Sequence, residues 1–486
     1  MSEDESSESG SSYYSESDKT YTRDEITVAD ASSLARTVGG TAVGNFTEWF
    51  DFGVYSYVIV IISDVIFPDT GWATVLTFAG LAVSFLVRPI GGIFWGFLAD
   101  RIGRKAILAW TIIMMAFGTF AVGFVPAYDS VGLWAPVMLF ALRAVQGFST
   151  GGEYVGAMTF LVEHAPDKKR GYLCSFLPVG TLSGYILGAL LVVLLQHLLG
   201  HDAMYAWGWR IPFLVAAPLG LIGLYVRLHL EESPAYEKEA ESRDEGGSQS
   251  GGWQQIKETV SGQWKPILVC MGLVLAFNVT NYMLTGYMPT YLEKHIHVAE
   301  PLIIVVLVMV VIALIVTFLG RLSDRVGRKP VMYIGAILLL VASVPMFLLI
   351  FQGSDWAVFL GTLPMGLMLV CFMSTEPSTL PTMFPTRVRS GATAVGYNIS
   401  VSAFGGTTPL IAAALVNGTG NLMMPAYILI VAGAVGVVAL LFLDEPVGKP
   451  LPGSGPTVSS ESEAKRVARY FRQRKHHNKG AASGAD

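Results

Sequence analysis

Charge is scarce in this chain: Asp, Glu, Lys and Arg supply 14% of its 486 residues, against 52% hydrophobic ones. A soluble protein of this length carries about 25% charged residues, so an ordinary water-facing surface is excluded over most of the sequence, and the mean hydropathy of +0.52 agrees. Cysteine is nearly absent. Cys174, Cys270 and Cys371 lie far apart in apolar stretches and offer neither a disulfide framework nor a metal-ligand spacing. The histidines fall at the ends of apolar runs, in loops or in the C-terminal tail, again without metal spacing. No nucleophile–base pair is evident, so an enzyme is not expected, nor is any cofactor. The net charge of −5 comes partly from an acidic N-terminal stretch and gives no reason to expect nucleic acid as a partner. That stretch shows no cleavable signal pattern. Residues 1–35, rich in Ser and acids, read as a disordered tail.

What remains is a series of apolar runs, each about 20 residues long, the length that spans a bilayer core. They lie near 36–62, 74–98, 106–125, 134–161, 172–195 and 208–228, then near 266–291, 301–319, 331–351, 356–380, 391–416 and 423–443. The expectation is an all-α membrane protein of twelve transmembrane helices. Two six-helix bundles (36–228 and 266–443) are joined by a charged Gly/Ser-rich linker over 229–265 and followed by a basic tail over 444–486.

Lys and Arg collect on alternate loops: Arg101, Arg104, Lys105; Lys168, Lys169, Arg170; the linker; Arg321, Arg325, Arg328, Lys329; Arg387 and Arg389. The opposite loops carry almost none apart from Lys294. Basic loops stay cytoplasmic, which predicts both termini on that side of a cell membrane. The chain also repeats itself. GFLADRIGRK at 96–105 returns as GRLSDRVGRK at 320–329, and EHAPDKKRG at 163–171 has a weaker echo in TMFPTRVRSG at 382–391. Two equivalent bundles suit a machine in which one half rocks against the other around a central site.

The decapeptide at 96–105 and its copy resemble the loop signature of the major facilitator superfamily. GNFTEWFDFGVY at 44–55, RPIGG at 88–92, RAVQGFSTGGEYVGA at 143–157, WGWRIPF at 207–213 and NLMMPAY at 421–427 narrow this to a resemblance to the metabolite:proton symporter family. Within it the likeness is strongest to the branch that carries osmoprotectants such as proline and glycine betaine, and it runs from about 40 to 445. The resemblance implies the major facilitator fold in a bacterial cell membrane, and proton-driven uptake of a small zwitterion by alternating access. It also implies a gating latch formed by Asp100, Arg101 and Arg104 and, in the copy, by Asp324 and Arg328. Two alternatives stay open: the same machine carrying an organic acid (citrate, 2-oxoglutarate or shikimate), and a membrane sensor that does not transport. Two positions depart from the branch pattern, where an acidic residue is expected at Pro178 and an apolar one at Glu376. The tail over 461–480 is short and basic with no sustained heptad run, which suits contact with anionic lipid.

An ionisable side chain inside a bilayer costs at least about 2.5 kcal/mol, so each needs a reason. Glu48, Asp51, Arg88 and Arg143 fall near the midplane and Glu153 nearer the basic side, counting about 1.5 Å per residue. Glu48 and Asp51 share one helix face, continued by Tyr55. Two carboxylates so close in low dielectric are costly to ionise together, so one is able to hold a proton. The alternative is a static pair, with Asp51 neutralised by Arg88. Arg143 stays charged; it can bias a nearby carboxylate or grip a substrate carboxylate, or simply pair with Glu153 or a first-span carboxylate. The proton-coupling candidates are therefore Glu48, Asp51, Arg143 and Glu153. For substrate they are Arg88 and Arg143 with the rings of Trp49, Tyr55, Tyr154 and Tyr282, since ring faces bind quaternary ammonium. The bland reading of any single ring is packing. Glu376, beside Pro377, reads as a hydrated carboxylate at a span end, and Asn278, Asn281 and Asn398 as interhelical glue.

Overall fold

The computed structural model describes residues 21–483 apart from 69, 103, 152, 229–251 and 387. Among them are nine helices long and apolar enough to cross a membrane, ten if the bent pair Leu34–Tyr57 and Ile59–Ile66 is one span. That pair turns by 58° at Val58, the start of a β-branched run that holds helix less firmly. Trp110–Val122 is shorter, and the run expected near 134–161 is divided into Trp134–Ser149 and Glu153–His164. The other expected runs each fall on a helix, commonly longer than the apolar stretch alone. Ala73–Ile102, Phe176–Ala206 and Pro301–Val326 continue several residues into polar sequence.

Second-half helices are interrupted rather than straight. The helix Gly252–Tyr282 passes into π-helical turns at Met283–Tyr287 and Leu292–Ile296, and another π turn, Val401–Gly405, separates Arg389–Ser400 from Thr408–Thr419. Asp355–Met373 stops at Ser374 and resumes as Glu376–Thr379, with Pro377 in its first turn, where a missing N–H costs nothing. Freed backbone groups of this kind are tolerated in membrane helices when buried against protein.

Glycine sets the closest helix approach. A Cβ on Gly91 would lie 1.9 Å from the Phe148 carbonyl oxygen, and one on Gly147 would lie 1.8 Å from that of Ser84. The RPIGG and QGFSTGG segments therefore press Ala73–Ile102 and Trp134–Ser149 backbone to backbone.

Two boundaries differ from expectation. Residues 252–265, expected in the linker, are helical, with a kink at Gln263. At the N-terminus, residues 21–30 are not a free tail. Strand β1 (Thr27–Val28) pairs in parallel with strand β2 (Thr457–Val458), and helix Glu461–Ser483 closes over them. Ala464, Val467 and Phe471 pack on Ile26 and Val458, so a few apolar residues in polar surroundings, spaced for one helix face, suffice to seal both termini into one small module.

Candidate functional site

The opening helix presents two adjoining faces to the interior. Asn45 and Trp49, one turn apart, form the first: the Trp49 indole donates to Asn45 Oδ1 at 2.8 Å, and Asn45 Nδ2 donates to the Leu177 carbonyl at 2.9 Å. The ring of Trp49 is thus fixed by the helix Phe176–Ala206. Glu48, Asp51, Phe52 and Tyr55 form the second, toward Ala73–Ile102 and Trp134–Ser149.

All four midplane ionisable residues are buried, none more than 3% exposed. Their pairing differs from expectation. Arg88 Nη2 donates to Glu48 Oε1 at 3.3 Å, while Asp51 Oδ2 accepts the Thr119 hydroxyl at 2.9 Å. Arg88 therefore neutralises Glu48, not Asp51. Thr119 also accepts Gln146 Nε2 at 2.7 Å, and Gln146 Oε1 accepts Arg143 Nη1. A chain Asp51–Thr119–Gln146–Arg143 results, in which an acid and a base are linked through two neutral side chains. Arg143 forms no ion pair with a carboxylate among the described residues; its Nε and Nη2 have no hydrogen-bond partner. Its guanidinium lies 3.7 Å from the Tyr55 ring centroid, a cation–π contact. Tyr55 in turn donates to the Thr77 carbonyl at 2.8 Å, so it supports Arg143 from below instead of lining open space. Arg88 lies over Phe85 at 4.3 Å and Phe52 at 4.7 Å. The side chain of Glu153 lies outside the described residues.

Aromatic rings from both halves meet beside these charges. Trp49 contacts Tyr185, Tyr154 and Tyr282 with centroids 5.5, 6.2 and 6.2 Å away. Tyr154 stacks on Tyr397 at 5.3 Å, and Tyr282 meets Phe85 edge-on at 5.0 Å. Trp49, Tyr154 and Tyr282 were expected here. Tyr185, Tyr397 and Phe85 were not: Tyr185 and Phe85 arrive by packing of first-half helices on the opening helix, and Tyr397 by the approach of the second half. Tyr282 and Tyr287 hydroxyls and Asn278 Oδ1 are buried without a partner. Asn398 does act as glue, donating to the Gly151 carbonyl at 2.7 Å across the halves. Glu376 corrects an expectation: it is 2% exposed and not at a hydrated span end, because the helix restarts at Glu376 while still inside the bundle.

The cage is closed at both ends. On the basic side Asp324 accepts the Gly171 and Tyr172 N–H groups at 2.7 and 2.8 Å, Arg389 pairs with Glu163 at 2.9 Å, and Arg328 bonds the Ser378 carbonyl at 2.6 Å while lying 3.6 Å from Asp324. Asp324 thus joins the second half to the first beside Arg328, and Glu163 and Arg389, from the echoed segments, add a tie that sequence reasoning missed. The side chains of Asp100, Arg101 and Arg104 lie outside the described residues. At the far end Lys294 donates to Thr74 at 2.6 Å and Asn417 to the Gly71 carbonyl at 3.0 Å. They border a cavity of about 570 Å³ that also includes Asp64, Tyr287 and Tyr291.

Residues 38–453 match the family model described as sugar (and other) transporter. The glycine betaine/proline/ectoine/pipecolic acid transporter OusA of Dickeya dadantii is 44% identical over 91% of this chain and 90% of its own length. The proline/betaine transporter of Escherichia coli K12 is 42% identical over 92% and 91%. Among solved structures, the major facilitator superfamily proton:xylose symporter XylE bound to 6-bromo-6-deoxy-D-glucose superposes with a TM-score of 0.66 at 18% identity, over 87% of this chain and 98% of XylE. A partially occluded inward-open form of XylE from E. coli gives 0.66 at 19%. At that identity the likeness speaks for the fold, which is that of the major facilitators.

Proposed function

The chain belongs to the sugar (and other) transporter family, and from that premise we propose that it takes up a small zwitterion, proline or glycine betaine, together with protons. The observation that carries the substrate class is the likeness, over nine-tenths of both chains, to relatives named for proline and betaine. The site agrees in chemistry. A zwitterion needs one cationic and one π-rich or anionic wall, and Arg143, without a carboxylate partner among the described residues, is buried against Phe52, whose ring adjoins Trp49 of the aromatic cage.

In this reading the protein has twelve spans in two six-helix bundles, with Trp110–Val122 and the divided helix Trp134–Ser149/Glu153–His164 counted as spans and both termini cytoplasmic. The cycle begins open to the outside with a proton on the Asp51 or Glu48 carboxylate, and Glu153 serves the same proton path. The substrate carboxylate meets Arg143, with Arg88 held back by Glu48, and its cationic end meets Trp49, Tyr154 and Tyr282. Neutral charge in the closed cage lowers the cost of excluding water. The latch then parts, Asp324 and Arg328 in the second half and Asp100, Arg101 and Arg104 in the first, and proton and substrate leave inward. The last helix exposes the basic residues Lys465, Arg466, Arg469 and Arg472, a charge pattern that suits attraction to anionic lipid.

The test is uptake of labelled proline, glycine betaine, citrate, 2-oxoglutarate and shikimate by a transporter-deficient bacterial strain, with and without a protonophore. Protonophore-sensitive uptake of proline or betaine is expected. Uptake of an organic acid alone would keep the coupling and overturn the substrate.

A further inference from the structure

One buried carboxylate is not used by this cycle. Glu376 sits where the helix Asp355–Met373 breaks and restarts. Its Oε1 has no hydrogen-bond partner, and no Lys or Arg pairs with it among the described residues. Ionised and alone in a membrane interior, such a group is strongly disfavoured, so the site calls for a proton or a cation.

Its neighbours favour a cation from the substrate. The short helix Glu376–Thr379 packs on Glu153–His164, which carries Tyr154, and Tyr154 stacks on Tyr397 at the edge of the cage. The same second-half wall holds further polar atoms without partners: Thr393 Oγ1, one turn before Tyr397, and Asn278 Oδ1, one turn before Tyr282, whose own hydroxyl is also unpartnered. Acceptors and hydroxyls without partners therefore collect on second-half helices, while the first half supplies the guanidinium of Arg143, whose Nε and Nη2 are equally unpartnered. Unpartnered donors on the first half thus answer unpartnered acceptors on the second, and the rings of both halves meet in one aromatic layer. A zwitterion lying across it has its carboxylate toward Arg143 and its nitrogen toward Glu376.

The two nitrogen types are not equal in such a site. An ammonium bearing N–H groups can donate to Glu376 and Asn278, whereas a fully alkylated one gains only ring-face and Coulombic attraction. We propose that Glu376 is the ammonium-binding residue of the second half and favours zwitterions with N–H on the cationic nitrogen, imino and amino acids, over quaternary ones. This rests on the zwitterion reading above and adds a specificity determinant to it.

Uptake of proline and glycine betaine by wild type and by Glu376→Gln, measured side by side, tests it. A hydrogen bond to a charged group is worth about 1.5–3 kcal/mol, a factor of about 10 to 150. The KM for proline is expected to rise at least about tenfold in the variant, while that for betaine moves less than about threefold. Equal losses for both substrates, or no change in either, would overturn the assignment. If wild type takes up neither, the zwitterion reading itself fails, and this inference with it. A second measurement needs no variant: competition by proline, N-methylproline and N,N-dimethylproline on the wild-type protein should weaken stepwise as N–H groups are removed. A flat series would overturn the proposal even if Glu376→Gln did not fold.

Discussion

Glu48 and Asp51 are three residues apart, yet they have different partners and different expected phenotypes. Glu48 compensates Arg88, so Glu48→Gln leaves a buried guanidinium unpaired, at a cost of about 3–5 kcal/mol. Thermal unfolding in detergent should show that loss, and Glu48→Gln/Arg88→Gln should recover part of it; a double variant no more stable than the single one would mean that the pair is not coupled. Asp51 is held by the Thr119 hydroxyl and pairs with no Lys or Arg among the described residues, so Asp51→Asn keeps the shape and removes the titratable group. Uphill uptake should be lost while exchange of substrate across the membrane continues; unchanged accumulation would take Asp51 out of the coupling role. That these residues matter was legible from sequence, because charge is rare in apolar runs. Their partners were not: helix spacing places Glu48 and Asp51 on one face but says nothing of which neighbour supplies Arg88 or Thr119. Glu376 was misread for a related reason. Pro377 signals a helix break, and only the packing shows that the break lies inside the bundle.

Among the elements, the loop between Pro301–Val326 and Arg328–Ile350 depends on Gly327, whose φ is +103° and whose added Cβ would come within 2.8 Å of Glu445 Oε2. Glu445 accepts the Arg328 and Lys329 N–H groups at 3.0 and 2.9 Å, capping the helix start. Gly327→Ala brings about 1–3 kcal/mol of backbone strain and displaces that cap. Labelling of a cysteine placed behind the latch should quicken from the basic side; unaltered labelling would count against the role of this loop. The terminal module makes a pH prediction. Partial burial raises the Glu463 carboxyl, but the Ser459 N–H and the Lys168 ammonium, 3.1 Å away, outweigh it and hold the group below its ordinary value of 4.5. Docking therefore favours the ionised form: it is fully stabilised above about pH 4.5 and weakens as pH falls through the lower docked value. Spin labels at Asp24→Cys and Ser462→Cys should stay close at neutral pH and separate only on strong acidification. Tighter docking in acid would contradict the assignment. Element positions were readable from run lengths, whereas this module was hidden because its apolar residues are few and divided between the two ends of the chain.

For the whole molecule, the halves are held shut on the basic side by Asp324 and by the Arg389–Glu163 pair. Charge-assisted hydrogen bonds are worth about 1.5–3 kcal/mol each, so Asp324→Asn with Arg389→Gln should raise the population open on that side by at least about tenfold, read as a distance shift between labels on the two halves. An unmoved distribution would show that these ties do not govern opening. The twofold plan was visible in the repeated decapeptide, but the cage was not, since Trp49 meets Tyr282, and Tyr154 meets Tyr397, only across the interface of the two halves. The most direct measurement is accumulation of labelled glycine betaine and proline in proteoliposomes holding the purified chain under an inward proton gradient. Uptake above the equilibrium level that collapses with a protonophore is expected. Ligand binding without accumulation would contradict proton-coupled transport and leave a sensor built on the same fold.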